Sequence, residues 1–169
     1  MISFRPLARI ALLLSALAMV SACGRGARRT DAHECMERAM YFESNRSSRD
    51  GMVAVGTVVM NRVASDDFPN TVCGVVSQKG QFAPGIMTKP MTEARSLARV
   101  QEAAASVLAG ERHPGVQKSR FFHVASYRGR WNNMHYVLTT GGNAFYEKRR
   151  PELVTQPVPV AATEGLTPL

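Results

Sequence analysis

The sequence predicts an α+β fold that is mainly α, a helical core beside a small β lobe. Between residues 33 and 112 the apolar positions recur at helical spacing, whereas two aromatic segments further on alternate as strands do. A length of 169 residues with 45% hydrophobic content suits one compact domain with one core.

In chain order, residues 1–22 read as a secretory signal. Arg5 and Arg9 precede the apolar run IALLLSALAMV, and Ser21-Ala22-Cys23 closes it. The VSAC tetrapeptide is similar to a bacterial lipoprotein signal, which makes Cys23 the expected lipidated N-terminus of the mature chain. Ordinary cleavage near Ala22, leaving a soluble periplasmic protein, is the alternative. The apolar run is short for a permanent membrane span. Gly24 in place of an aspartate favours the outer membrane, facing the periplasm. Residues 23–32 then form a polar tether, and the domain proper is expected over residues 33–148.

Helix one is predicted from about His33 to Ser44, with Thr30 or Asp31 as N-cap, and the polar turn SNRSSRDG ends it. Helix two, about Asp50 to Ala64, has Met52, Val55, Val59 and Val63 on one face. Val53, Val58 and Met60 make it apolar nearly all round, as a central helix is. A short third helix, Thr71 to Ser77, follows Pro69. KGQFAPG reads as loop or hairpin. Residues 91–112 form the clearest helix, burying Leu97, Val100, Ala104, Val107 and Leu108 and ending at Gly110 and Pro114. SRFFHVASYRGRW reads as extended and GNAFYEK as a short strand. Residues 149–169, rich in Pro, Thr and Ala, are expected to be a disordered tail.

Within helix one, Met36, Ala39, Met40 and Glu43 fall at i, i+3, i+4 and i+7, so a carboxylate shares the stripe that faces the core. Burial against such neighbours disfavours the charged form and raises the pKa, the environment of a general acid. Glu37 and Arg38 lie off that stripe and are expected to be solvated. Asp66 and Asp67 sit in a turn, and Glu93 and Glu102 on a solvated helix face, so none of them matches Glu43 as an acid.

With Cys23 acylated, Cys35 and Cys73 remain in an oxidising compartment and are expected to pair. Such a bridge constrains the unfolded chain by roughly 4 kcal/mol and pins helix one to helix three. Two separate buried thiols are the alternative. His33, His113, His123 and His135 show no close metal-ligand spacing with the cysteines, so no metal and no cofactor are expected. Net charge is +8, and subtracting the two leader arginines leaves +6. A basic secreted protein suits an anionic polymer, and without a Lys/Arg stripe interleaved with aromatics a nucleic-acid partner is not expected.

Five segments carry a resemblance: CMERAMYFES at 35–44, GMVAVGTVVMNRVASDDFPNTVCGVVSQ at 51–78, QF at 81–82, FHVASYRGRW at 122–131 and GNAFY at 142–146. In these, and in their order, the chain resembles the SleB/CwlJ-type cell-wall hydrolases. The resemblance implies a lysozyme-like fold and cleavage of peptidoglycan glycan strands between N-acetylmuramic acid and N-acetylglucosamine, by a lytic transglycosylase or a muramidase. Residues 33–148 would be the catalytic domain, and Glu43 would be the catalytic acid. In a transglycosylase the same group then accepts a proton from the muramyl 6-hydroxyl, giving a 1,6-anhydro sugar without a second carboxylate. Hydrolysis commonly uses a carboxylate pair.

Aromatic rings and amides in these segments are the substrate-binding candidates: Gln81, Phe82, His123, Tyr127, Trp131 and Tyr146. Gln81 reads equally as an exposed loop amide, and Phe82 reads more as a packing residue. Tyr127 and Trp131 would share one face of an extended segment. The chain departs from the resemblance at Ala83 and Pro84, where many relatives have serine and tryptophan, at Phe121 and Asn143, where histidine is frequent, and in the turn after Glu43. Sugar subsites are therefore expected to differ. The expected partners are glycan strands and, through the N-terminal lipid, the membrane, with the protein acting as a monomer. A noncatalytic peptidoglycan-binding lipoprotein on the same scaffold is the alternative function.

Overall fold

A computed structural model describes residues 31–44, 46, 48–129 and 131–167. The expected signal peptide, the Cys23 lipidation site and nearly all of the tether lie outside the described residues.

Helix α1, Ala32–Glu43, starts at Asp31, whose side chain accepts from the Glu34 amide at 2.8 Å. Its stripe is as the periodicity predicts: Met36, Ala39 and Met40 are wholly buried. Helix α2, Arg49–Val63, is capped by Ser48 and is buried on almost every side from Asp50 to Val59. This is the central helix that its all-round apolar character requires. Helix α3, Val72–Val76, is capped by Thr71, and helix α4, Ala94–Leu108, buries Val100, Ala103, Ala104 and Val107 against α1 and α2. Leu97 and Leu108, expected on the buried side, are only partly covered. Cys35 and Cys73 form a disulfide that joins α1 to α3. The two-thiol alternative is thereby set aside.

The β lobe has three strands, β1 Phe121–Val124, β2 Met134–Thr140 and β3 Asn143–Lys148, in the antiparallel order β1-β3-β2. The β2 strand was not expected from the sequence. Its alternation is weak on one face, and a bulge between Tyr136 and Leu138 breaks its period. Gly141 and Gly142, with φ of 55° and 81°, form the two-residue turn between β2 and β3. Gly141 also lies against Gly51 of α2 backbone to backbone: a Cβ on Gly141 would come 2.3 Å from the Gly51 Cα. This close approach sets the hairpin turn beside the start of α2.

Two expectations are corrected. The first strand stops at Val124 and turns at Ala125, so Tyr127 and Trp131 do not share a strand face. The Tyr127 ring packs against Gly129, where an added Cβ would come 2.1 Å from the ring and displace it. The expected disordered tail is ordered through Thr167. After a 3-10 turn at Pro151–Leu153 it runs along the free edge of β2, where the Tyr136 amide donates to the Gln156 carbonyl and the Thr163 amide to the Thr139 carbonyl, both at 2.9 Å. Its end is held by the buried Asp50, which accepts from the amides of Leu166 at 2.7 Å and Thr167 at 2.8 Å. Glu164 accepts from the Gly141 amide at 2.7 Å and from the Ser48 hydroxyl. Composition points to disorder because the segment has few core side chains. Its attachment uses backbone groups at an open strand edge, which composition does not register.

Candidate active site

Glu43 is the last residue of α1, at the floor of a cleft of about 460 Å³. Gln81 and Ser44 flank it, and His123, Val124 and the Gly141–Asn143 turn form the facing wall. The helix stripe delivers the carboxylate to the edge of the core, and the β lobe closes over it. Glu43 is the one carboxylate among the described residues that line this cleft.

Two hydrogen bonds hold Glu43, one on each side of the cleft. The Ala83 amide donates to Oε1 at 2.6 Å, so the QFAP loop orients the carboxyl group. That loop is held in turn by Arg38, whose Nη1 donates to the carbonyls of Ile86 at 3.0 Å and Lys89 at 2.9 Å. Arg38 is therefore a loop anchor; its position off the core stripe places it beneath the loop and not in solvent. On the opposite side the Asn143 carboxamide donates to the Glu43 carbonyl at 2.6 Å, joining the helix end to β3.

Burial pushes the Glu43 carboxyl above the usual carboxylate range, opposed by the Ala83 amide and the positive charge of Arg62. Arg62 is itself only 3% exposed. Its guanidinium lies 5.1 Å from the Phe68 ring, 5.3 Å from Phe82 and 5.9 Å from Phe121, and Nε donates to the Arg120 carbonyl at 2.7 Å. Its Nη1 is buried with no hydrogen-bond partner among the described residues. Burial pulls the Arg62 pKa down to about 10, with Tyr146 and Glu43 opposing the fall. A cation enclosed by aromatic rings close to a catalytic-type acid is an electrostatic element that the sequence reading missed. NRV was noted there only as part of a pattern.

The other candidates separate into groups. Gln81 and His123 line the cleft with Glu43. The His123 ring is held by the Tyr136 hydroxyl at 2.7 Å and the Val124 carbonyl at 2.9 Å. Phe82 is a core residue, 8% exposed, beneath Arg62, so the packing reading holds and its place among the substrate-binding candidates is corrected. Tyr146 is likewise buried, stacked on Phe121 with centroids 5.6 Å apart, and supports His123 from below instead of lining the cleft. Burial raises its pKa. Tyr127 and Trp131 line a neighbouring groove. Asn143 and the two turn glycines were not among the expected site residues; the Gly-Gly dipeptide, a hairpin signal, could have found them.

A half-buried acid at a helix end, facing a small antiparallel sheet across a cleft, is the arrangement of a lysozyme-like glycan-cleaving scaffold. Residues 46–146 match the sequence pattern of the family described as Cell Wall Hydrolase, and the chain belongs to that family. The matched stretch begins three residues beyond Glu43. The fold is similar to the catalytic domain of the germination-specific lytic transglycosylase SleB from Bacillus anthracis, at 26% identity and a TM-score of 0.57, over 73% of this chain and 99% of that one. The catalytic domain of the Bacillus cereus SleB protein is similar at 25% identity and the same TM-score, over 73% of this chain and 94% of that one. A spore cortex-lytic enzyme of Bacillus cereus is 45% identical over 49 residues, which are 29% of this chain and 19% of that protein.

Proposed function

We propose that the protein cleaves peptidoglycan glycan strands between N-acetylmuramic acid and N-acetylglucosamine as a lytic transglycosylase, with Glu43 as acid and then base. The observation that carries this reading is the Glu43 carboxyl group, pushed up by burial and alone among the carboxylates of the described residues that line the cleft. The protonated group donates to the bridging oxygen, the bond from muramyl C1 to that oxygen breaks, and the acetylglucosamine segment leaves as an alcohol. The muramyl 6-oxygen then bonds to C1 while its proton passes to the Glu43 carboxylate. The acid is thereby restored and the 1,6-anhydro ring closed. A positive charge at Arg62 favours the interval in which Glu43 is ionised. Hydrolysis at the same acid would need water activated by a second group, and the cleft offers no second carboxylate among its described residues.

Placement in the cell envelope, lipid-anchored through Cys23 at the periplasmic face of the outer membrane, belongs to the same proposal and rests on the VSAC pattern. Digestion of purified sacculi tests the reading. Anhydromuramyl ends support it, reducing ends make the protein a muramidase, and sacculus binding without any released product makes it a glycan-recognition lipoprotein.

A further inference from the structure

Apart from the cleft, the β lobe carries a larger groove of about 700 Å³, lined in part by the β1–β2 loop. Its inner wall carries Tyr127 and Trp131, residues that are 44% and 63% exposed. Its outer wall is Pro157–Val160 of the C-terminal segment. That segment keeps its place because the chain is tied to β2 on both sides, at Gln156 and at Thr163, and is latched further on by Glu164 and Asp50. Cleft and groove come close together where β1 ends. His123 and Val124 line the first, Ala125 and Tyr127 the second, and the rings of His123 and Tyr127 lie 4.9 Å apart.

The chemistry of the groove matches a sugar strand. Exposed indole and phenol faces pack against pyranose rings, whose axial C–H groups are apolar while their hydroxyls remain polar. Thr139 lines the groove, is 6% exposed, and has a hydroxyl with no hydrogen-bond partner among the described residues. A buried hydroxyl of that kind is costly unless a ligand satisfies it. Asn132 adds an amide suited to an acetamido group.

We infer that this groove is a distal subsite for further aminosugar units of the strand held in the cleft, and that the C-terminal segment 157–160 is its outer wall. The inference rests on the glycan-cleaving reading of the Glu43 cleft. It makes the protein selective for long strands, because short fragments fill the cleft and leave the groove empty.

Calorimetric titration of Glu43→Gln with peptide-free glycan fragments of increasing length tests it without turnover. Affinity should rise by roughly tenfold once fragments are long enough to reach the groove, the effect of about 1.4 kcal/mol. Trp131→Ala and Val158→Glu should each abolish most of that rise, and because both side chains are exposed, the melting temperature should hold. A rise that survives both substitutions overturns the subsite, and so does competition by free stem peptide in place of glycan. If no fragment of any length binds, the cleft reading itself fails. If short fragments bind and length adds nothing, only the groove assignment is lost.

Discussion

The Asn143 carboxamide donates to the main-chain carbonyl of Glu43 at 2.6 Å, a bond between residues 100 positions apart. It joins the first residue of β3 to the last residue of α1, so the cleft wall and the acid move together. The C-terminal carbonyls of a helix lack intrahelical partners, and this one is satisfied by the opposite lobe. Asn143→Ala should cost about 1 kcal/mol in stability. It should lower kcat by roughly tenfold, with a smaller change in KM, because the acid loses its registration on the substrate. Melting curves and steady-state rates on solubilised glycan check this. Restored kcat in Asn143→His, with its own N–H donor, would tie the effect to the hydrogen bond; a stability loss without a rate loss would make the contact merely structural.

The acid's environment predicts the pH profile. Glu43 acts when protonated, and burial raises its pKa, so activity should fall as pH rises through a value above the ordinary carboxylate range. Arg62 opposes that shift. Arg62→Met should therefore move the alkaline limb to higher pH, while Arg62→Lys should move it less. Glu43→Gln should lose roughly 10²–10⁴ in kcat below that limb and should not show the limb itself. A limb that stays put in Arg62→Met would show that this cation does not act on Glu43.

The Cys35–Cys73 bridge closes a loop with a sequence separation of 38 between the helix that bears the acid and α3. Replacing both cysteines by serine should lower stability by about 2–4 kcal/mol in chemical denaturation. Reductant should act on the wild-type protein in the same direction and leave the double variant unchanged.

Asp50 latches the C-terminal segment, and its pH dependence follows from its partners. Burial alone would raise its pKa, but the Thr167 hydroxyl, the amides of Leu166 and Thr167, and His113 outweigh that and hold it below the ordinary value of 3.8. Its contribution is thus complete above that value and is lost as pH falls through the lower folded-state pKa. His113, facing Asp50 at 3.8 Å, is also shifted down, which for a base disfavours the charged form: burial lowers its pKa from 6.5 despite Asp50. Protonation of His113 therefore favours the unfolded chain, and stability should already decline as pH drops below about 6.5. Asp50→Asn should cost about 1–3 kcal/mol at neutral pH and remove the more acidic of the two losses. It should also expose the segment after Thr163 to carboxypeptidase. A variant as resistant as wild type would mean that Glu164 alone secures the segment.

Much of the helical core is legible in the sequence, because it follows from local period. The Met36, Ala39, Met40 stripe, the all-round burial of α2 and the Asp31 cap are each readable within one or two turns of chain. The β lobe is less so. The β2 strand carries a bulge, and the Tyr127 segment leaves the sheet after four residues, so a period of two never has room to establish itself.

By itself the sequence determined the helices, the pairing of two cysteines, and the presence of one acid on a buried stripe, since these depend on spacing along a few residues and on composition. Only the tertiary structure decided what surrounds that acid. The Ala83 amide, the Arg62 cation among three phenylalanines, the Asn143 tie and the ordered C-terminal wall meet Glu43 or its neighbourhood across long stretches of chain. Such contacts are set by how packed elements bring backbone groups together, and no local pattern records them.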